Sequence, residues 1–299
     1  GERHVIEKPR GYDKLKQRQP YGLDLLNRAG EILRYRMFAE NDAQRLLPFW
    51  SYRRLIHAKL LDPHGVRGLR DIAMINWASN DYYFRGLTED AATAAQAHTE
   101  AKRLALGFLY WLQTECPRDD GQGLGYPELR LRADVMGSLD GLSKHPYIRE
   151  SRRIVPLKRI LEQHISADLL PAPLPCPDSV GIGWYSIDIH HCVGGDVHDL
   201  AYAPTHPFQI PLGALIPIRT QNLIPACKNI GSTHITNGAY RLHPVEWAIG
   251  EAAGLLAAYC LSRGVSPQHV WETSAHLCQL QDQLREYGAP IEWNHTLFA

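Results

Sequence analysis

The sequence lacks the features that mark nucleic-acid-binding and membrane proteins. Its 299 residues contain 32 Lys and Arg against 32 Asp and Glu, so the formal net charge is zero. Without a surplus of clustered cations, binding to nucleic acid or to an anionic membrane surface is not expected. The longest strongly apolar stretch, residues 252–261, is about half as long as the ~20 residues of a bilayer span. The sequence therefore predicts a soluble protein, and we expect it to be cytoplasmic.

Cysteines are few and irregularly spaced. The chain has six of them, with no Cys-x-x-Cys pair. A disulfide-stabilised scaffold would show more cysteines in a shorter chain, and a zinc knuckle would show paired ones. We therefore expect reduced thiols.

Sequence patterns divide the chain into four segments. Residues 1–50 are polar, with a helix predicted from Leu23 to about Asn41. Residues 51–218 are helical to about residue 147 and β-rich after it. Residues 219–262 have the pattern of a strand, a loop and a helix, and residues 263–299 form a helical extension. The alternation of helical and strand-like segments predicts an α/β fold with a mixed β-sheet.

Periodicity and turn residues predict the individual elements. Apolar residues three and four positions apart predict a helix from Thr88 to Glu115, followed by a long Gly- and Pro-rich loop at 116–127. Pro244 suits the first turn and Gly264 the C-terminal cap of a helix over 244–262, and Ser266 begins another helix. Short β-branched or aromatic runs predict strands at residues 148–155, 181–191, 208–218 and 222–227.

The segment from Leu223 to Leu261 carries a possible cofactor site. Gly250 and Gly254 lie on one face of its helix, and such small residues let a helix approach a sheet or a ligand closely. Ordinary helix–sheet packing is an equally good interpretation. The polar loop at 229–241 would present backbone N–H groups at the start of this helix, where the helix dipole favours an anionic or electron-rich group.

Six separated motifs in this chain occur together in one known family. They are residues 110–115, 125–130, 147–154, 208–217, 222–226 and 241–254. In this order they resemble the middle and C-terminal regions of FAD-dependent oxidoreductases with a glutathione-reductase-like flavin domain. The resemblance covers roughly residues 100–262. It implies a substrate or cap role for residues 51–218 and the C-terminal part of an FAD-binding domain for residues 219–262.

The resemblance implies which residues bind FAD. Backbone N–H groups near the helix start would face the N1/O2 edge of the isoalloxazine, and the loop before it would lie beside the ribityl or pyrophosphate group. Arg241 would add a positive charge there, or would form a structural salt bridge. The implied cofactor-binding residues are Asn229, Ile230, Gly231, Ser232, Tyr240, Arg241, Leu242, His243, Pro244, Val245, Gly250 and Gly254.

One motif of that family is missing. No strand, Gly-x-Gly-x-x-Gly turn and helix is present to hold the ADP half of FAD. The chain is therefore predicted to be the C-terminal part, or one subunit, of a flavoenzyme. Its expected partners are a small-molecule substrate and a dinucleotide-binding segment or subunit.

Candidate catalytic residues lie in the β-rich region. On a strand, the side chains of Asp188 and His190 share a face. Beside a flavin, the two residues together would act as the general base while hydride is removed from a small substrate of alcohol or carbohydrate type. Arg149 and Arg152 could reach the flavin or a substrate oxygen, or could pair with nearby acidic residues. Aromatic side chains that line a pocket or belong to the core are Trp184, Tyr185 and Tyr202.

Two other functions remain open at this point. Asp188, His190, His198 and Asp199 could instead hold the metal ion of a hydrolase, although their spacing matches no common metal motif. No metal site is predicted on this basis. A non-catalytic, partner-binding module is the third interpretation.

Overall fold

The computed structural model describes residues 2–27, 30–149, 152–194 and 201–294. The chain forms two compact units, Gly1–Tyr147 and Ile148–Ala299. The division falls where the sequence pattern changes from helical to strand-like. In the described part of the chain, no helix is long and apolar enough to cross a membrane.

The first unit combines two antiparallel pairs of strands with one long helix. Its elements in chain order are α1 Tyr12–Arg18, β1 Asp24–Leu26, β2 Ile32–Arg34, β3 Arg54–Ile56, α2 Ala58–Leu61, β4 Ile72–Ala73, α3 Ala91–Thr114 and α4 Ala133–Met136. β1 pairs with β2 and β3 with β4, both antiparallel. Aromatic and aliphatic side chains build the core around α3, including Tyr12, Phe49, Trp77, Leu104 and Phe108.

The helix predicted at 23–41 is wrong. Leu25 pairs with Leu33 across the β1–β2 hairpin, and the chain reverses near Gly30, whose φ is 78°. The side chain of Asn27 accepts a hydrogen bond from the N–H of Glu31 at 2.8 Å. Asn and Gly favour such a reversal, and the turn overrides the weak helical spacing of the apolar residues.

The helix predicted from Thr88 to Glu115 is confirmed as α3. Asp90 caps it by accepting hydrogen bonds from the N–H groups of Ala92 and Thr93, both at 2.9 Å. The loop at 116–127 is irregular, as predicted.

The described residues of the second unit form four further strands and four α-helices. Its elements are β5 Ser179–Gly183, β6 Ile187–Ile189, β7 Ala201–Ala203, β8 Phe208–Pro211, α5 His234–Tyr240, α6 His243–Arg263, α7 Pro267–Glu272 and α8 Ser274–Glu286. β5 pairs with β8 and β6 with β7, both antiparallel. The α/β class is confirmed, and the sheets within the described residues have two strands each. The core packs α6 and α8 against β5 and β8, with Ile210, Leu215, Ile249, Leu256 and Leu280 at its centre.

Three predictions for this unit are wrong. The described residues of 148–155 form no strand, and neither do residues 222–227, where Pro225 and the φ of 56° at Asn222 interrupt extended pairing. The segment 229–241 is not a loop throughout, because it contains α5. Thr233 and Thr236 cap α5 reciprocally, each side chain accepting from the other residue's N–H at 2.9 and 3.1 Å.

The C-terminal helices follow the sequence signals closely. Pro244 lies in the first turn of α6, and Gly264 ends it with a φ of 66°. The helix that begins after Ser266 is interrupted at Thr273, which separates α7 from α8.

Candidate active site

Strand β6 carries the acidic residue at the centre of the site. Asp188 is the middle residue of β6 and lies opposite Tyr202 on β7. Residues Ile187 to Ile189 pair with β7 in regular antiparallel register. With alternation of side chains along the strand, Asp188 and His190 share a face, as the sequence predicts.

Two donors hold the carboxylate of Asp188. Nη2 of Arg241 donates to Oδ2 at 3.0 Å and to the backbone oxygen of Asp188 at 2.9 Å. Nε2 of His190 lies 3.2 Å from the same Oδ2. The Arg241 side chain is only 9% exposed. The salt-bridge interpretation of Arg241 is therefore what the structure shows, with Asp188 as the partner.

The charge state of Asp188 follows from this arrangement. Burial raises the pKa of its carboxyl group, but the hydrogen bond with His190 and the charges of His190, Arg241 and Arg149 lower it by more. The net pKa lies below the ordinary value, so Asp188 is a carboxylate at neutral pH. Only a protonated Nε2 of His190 can donate to it. A neutral His190 then carries its lone pair on Nδ1.

Helix α5 lies directly against β6 at Asp188. A Cβ added at Gly238 would lie 2.7 Å from both the backbone nitrogen and the backbone oxygen of Asp188. Only glycine permits a helix to approach a strand this closely. The sequence reasoning missed this role of Gly238, although the Thr-x-x-Thr pattern five residues before it signals a helix start.

A thiol and an imidazole meet at the other end of α5. Sγ of Cys192 lies 3.8 Å from Nε2 of His234, which is the first residue of α5. Cys192 follows His190 by two positions, the spacing of one face of an extended chain, but the sequence does not reveal His234. The two residues are 42 positions apart, and only the fold joins them.

Tyr202 lies opposite Asp188, and two more aromatic residues precede β6 in the chain. Tyr202 is 52% exposed, and its hydroxyl group accepts a hydrogen bond from Oγ of Ser186 at 2.8 Å. Trp184 is 54% exposed, and its Nε1 donates to the backbone oxygen of Thr205. Tyr185 is half-buried. Trp184 and Tyr202 thus lie at the surface and not in the core.

Arg149 and Arg152, the two predicted catalytic arginines, have different positions. The charge of Arg149 helps to lower the pKa of Asp188, and its backbone oxygen accepts from Nδ2 of Asn237 on α5 at 3.5 Å. Arg152 is exposed. Their catalytic role stays a prediction.

Several predicted cofactor-binding residues are buried or form hydrogen bonds within the protein. The backbone oxygen of Asn229 accepts from Ile154, and Gly231 both donates to Ala214 and accepts from Ile160. A Cβ at Gly231 would lie 2.1 Å from the ring of Pro156, so this close approach belongs to the fold. The side chains of Ile230, Ser232 and Tyr240 are buried. The hydroxyl group of Tyr240 donates to the backbone oxygen of Gln209.

Most of the remaining predicted cofactor-binding residues form an exposed or half-buried strip along α6 and its N-terminal cap. His243, Pro244 and Gly254 are exposed, Leu242 and Gly250 are half-buried, and the side chain of Val245 is buried. A Cβ at Gly254 would meet no atom within 4 Å, and one at Gly250 would meet only the backbone oxygen of Ala226 at 3.5 Å. Among the described residues, no acceptor lies in hydrogen-bonding geometry with the N–H groups of His243 and Val245. This helix start therefore has both donors and uncovered space.

The alternative metal site has no support in the described residues. They contain no group of three or more His, Cys, Asp or Glu side chains that could hold a metal ion. His198 and Asp199 lie outside the described residues.

Comparison with protein families decides the class. The model of the family described as FAD dependent oxidoreductase matches residues 7–284. The chain belongs to this family. It is an oxidoreductase whose cofactor is FAD, and the match extends well beyond the roughly 100–262 over which the sequence motifs show the resemblance. Neither a curated protein nor a solved structure matches the chain.

The described residues fit one end of FAD and not the other. The start of α6, where the N–H groups of His243 and Val245 have no acceptor among the described residues, suits the electron-rich edge of the isoalloxazine. The pyrophosphate of FAD normally lies at a glycine-rich turn between a parallel strand and a helix. The sheets in the described ranges are all two-stranded and antiparallel, so these residues form no such cradle.

Proposed function

We propose that this family member oxidises a small organic substrate of alcohol or carbohydrate type, with His190 as the base. FAD, when bound, supplies the hydride acceptor at N5 of the flavin. The observation that carries the proposal is the bonding of one carboxylate oxygen, Oδ2 of Asp188, to both His190 and Arg241.

His190 takes the proton that a substrate hydroxyl group loses as its carbon is oxidised. Because Nε2 is directed to Asp188, the accepting atom is Nδ1. Proton transfer makes the ring an imidazolium, and the negative Asp188 stabilises it. The hydrogen bond and charge of His190, followed by the charges of Arg241 and Arg149, hold the pKa of Asp188 below its ordinary value, so Asp188 keeps its negative charge when pH falls moderately.

The surroundings support a hydroxyl-bearing substrate. Ser186 and Tyr202 place hydroxyl groups on the same side of β6 as Asp188, and Tyr202 is open to solvent. Polar groups of this kind orient a substrate by hydrogen bonds. Arg149 and Arg152 would contact a substrate oxygen or the flavin.

The proposed FAD contacts divide into residues that touch the flavin and residues that support them. Leu242, His243, Pro244, Val245, Gly250 and Gly254 would hold the flavin edge directly. Asn229, Ile230, Gly231, Ser232 and Tyr240 would support the segment from beneath. Arg241 would add positive charge that Asp188 partly balances. A dinucleotide-binding segment or partner subunit outside residues 1–299 would hold the ADP half.

The test is anaerobic reduction of FAD in the holoenzyme by stopped flow. The reductant is the member of a panel of primary alcohols, polyols and aldoses that reduces wild-type enzyme fastest. We expect His190→Ala to slow reduction by ~10²–10⁴-fold with FAD content and Tm unchanged, which is the usual loss for a general base. His191→Ala, at the neighbouring position, is the matched control and should reduce normally.

Two results contradict the proposal. Wild-type reduction kinetics in His190→Ala would remove the base role from His190. Release of a stoichiometric metal ion from the same variant would place His190 in a metal site instead.

A further inference from the structure

A pocket of about 330 Å³ lies in the second unit. None of its lining residues belongs to the groups assigned above to FAD, to the substrate or to proton transfer. They come from two stretches of the chain and are Ile154, Val155, Pro217, Ile218, Arg219, Thr220 and Leu223. The volume is at the lower end of the ~300–1,000 Å³ that is typical of small-molecule sites. The pocket therefore suits a small ligand.

Backbone contacts hold the two stretches side by side. The N–H of Ile218 donates to the backbone oxygen of Val155 at 3.0 Å, and Pro156 pairs with Pro217 in an antiparallel bridge. The chain then turns at Asn222, whose φ is 56°, and Leu223 follows at the pocket wall. Main-chain contacts thus bring the lining residues to one common space.

Aliphatic side chains form most of the pocket wall and are open to solvent. Val155 is 54% exposed, Ile218 49% and Leu223 46%. Burial of such side chains by an apolar ligand is favourable, because it removes both apolar surfaces from water. Among the described residues, no aromatic ring lines the pocket. An alkyl chain therefore fits this wall better than a ring that would bind by stacking.

The polar side of the pocket is positively charged. Arg219 and Thr220 supply the polar side chains of the lining, and both are exposed. Within the described part of the chain, no acidic side chain lines the pocket. A guanidinium group binds a carboxylate through two parallel N–H donors, and the hydroxyl group of threonine can donate as well. The pocket therefore favours an anionic head group over a cationic one.

We propose that this pocket binds a medium-chain alkyl carboxylate. The alkyl chain lies against Val155, Ile218 and Leu223, and the carboxylate lies at Arg219. Each methylene group that the wall removes from water raises the affinity by up to ~4-fold, so the chain supplies most of the affinity and Arg219 selects the charge. The site does not involve His190 and does not depend on its redox role.

Isothermal titration calorimetry on the full chain tests the proposal. The probes are hexanoate, octanoate and decanoate, each below its micellar concentration. We expect saturable binding to a single site, with an affinity that rises by up to ~4-fold for each added methylene group. Octylamine has the same alkyl chain and the opposite charge, and it should bind more weakly than octanoate.

Two variants assign the binding to this pocket. Leu223→Asp removes part of the apolar wall and repels a carboxylate, so it should weaken octanoate binding at least ~10-fold. Arg219→Gln removes an exposed charge and should weaken octanoate binding by ~2–5-fold while leaving the binding of 1-octanol unchanged. Arg159→Gln changes an exposed arginine outside the pocket lining, and this matched control should bind octanoate as wild type does.

The melting temperature of each variant shows whether it is folded. If Leu223→Asp is not folded, Val155→Asp on the facing stretch takes its place. The proposal is overturned if no carboxylate binds saturably or if octylamine binds as tightly as octanoate. It is also overturned if a folded Leu223→Asp or Arg219→Gln variant binds octanoate as wild type does.

Discussion

Gly238 provides the sharpest test of the geometry around Asp188. A Cβ at this position would lie 2.7 Å from two backbone atoms of Asp188 and 3.0 Å from a third, whereas ordinary Cβ contacts begin at 3.4 Å. In Gly238→Ala, α5 must therefore move from β6 by about 0.7 Å. Backbone atoms cannot rotate aside as a flexible side chain can, so the whole contact between α5 and β6 has to adjust.

The expected stability change is the difference between two effects. Overpacking of this kind costs typically ~1–3 kcal/mol, while replacing Gly by Ala within a helix gains up to ~1 kcal/mol. We expect Gly238→Ala to be less stable than wild type by about 1–2 kcal/mol. Gly254→Ala is the matched control, because Gly254 is also helical and a Cβ there meets nothing within 4 Å. It should be more stable than wild type, by up to ~1 kcal/mol.

Urea unfolding followed by circular dichroism measures both variants. The midpoint should fall for Gly238→Ala and rise for Gly254→Ala, with the dependence on urea unchanged. If Gly238→Ala were as stable as wild type or more so, the close approach of α5 to Asp188 would be refuted.

Two further predictions concern α6 and the ion pair of Asp178 with Lys158. Gly254→Leu should lower the FAD content of the holoenzyme more than Glu251→Leu does, because only Gly254 belongs to the predicted flavin-binding residues. Neither variant should lose stability, because both positions are exposed. Equal FAD absorbance in the two variants would exclude Gly254 from the site. Asp178 is bonded to Lys158 at 2.5 Å and to Trp271 at 3.0 Å. Burial raises its pKa, but these bonds and the N–H of Gly213 lower it by more, so its folded pKa lies below its unfolded one. This contribution to stability is present above the unfolded pKa of ~3.9 and is lost as pH falls through the folded value. Asp178→Asn should therefore be less stable by ~1–3 kcal/mol at pH ~7. Urea midpoints should show the stability difference between the variant and wild type narrowing towards pH ~3, whereas a difference independent of pH would contradict the assignment.

The sequence by itself determined the elements with strong local signals. α3 follows from its apolar spacing, and α6 follows from Pro244 and Gly264. These signals act within one or two turns, so no distant residue is needed to interpret them. The prediction for the hairpin at residues 24–34 was wrong because each of its strands has only three residues and their apolar pattern also fits a helix.

Only the tertiary structure decided how the site is assembled. The pairing of Asp188 with His190 could be expected from alternation along a strand, because the two are neighbours in sequence. The bond from Arg241 to Asp188 joins residues 53 positions apart, and the close contact of Gly238 with Asp188 depends on α5 lying against β6. Such contacts arise when the chain folds back on itself, and the residue pattern does not specify the partner. For the same reason, the sequence left two roles open for Arg241, contact with the flavin or a structural salt bridge. The fold shows the salt bridge with Asp188.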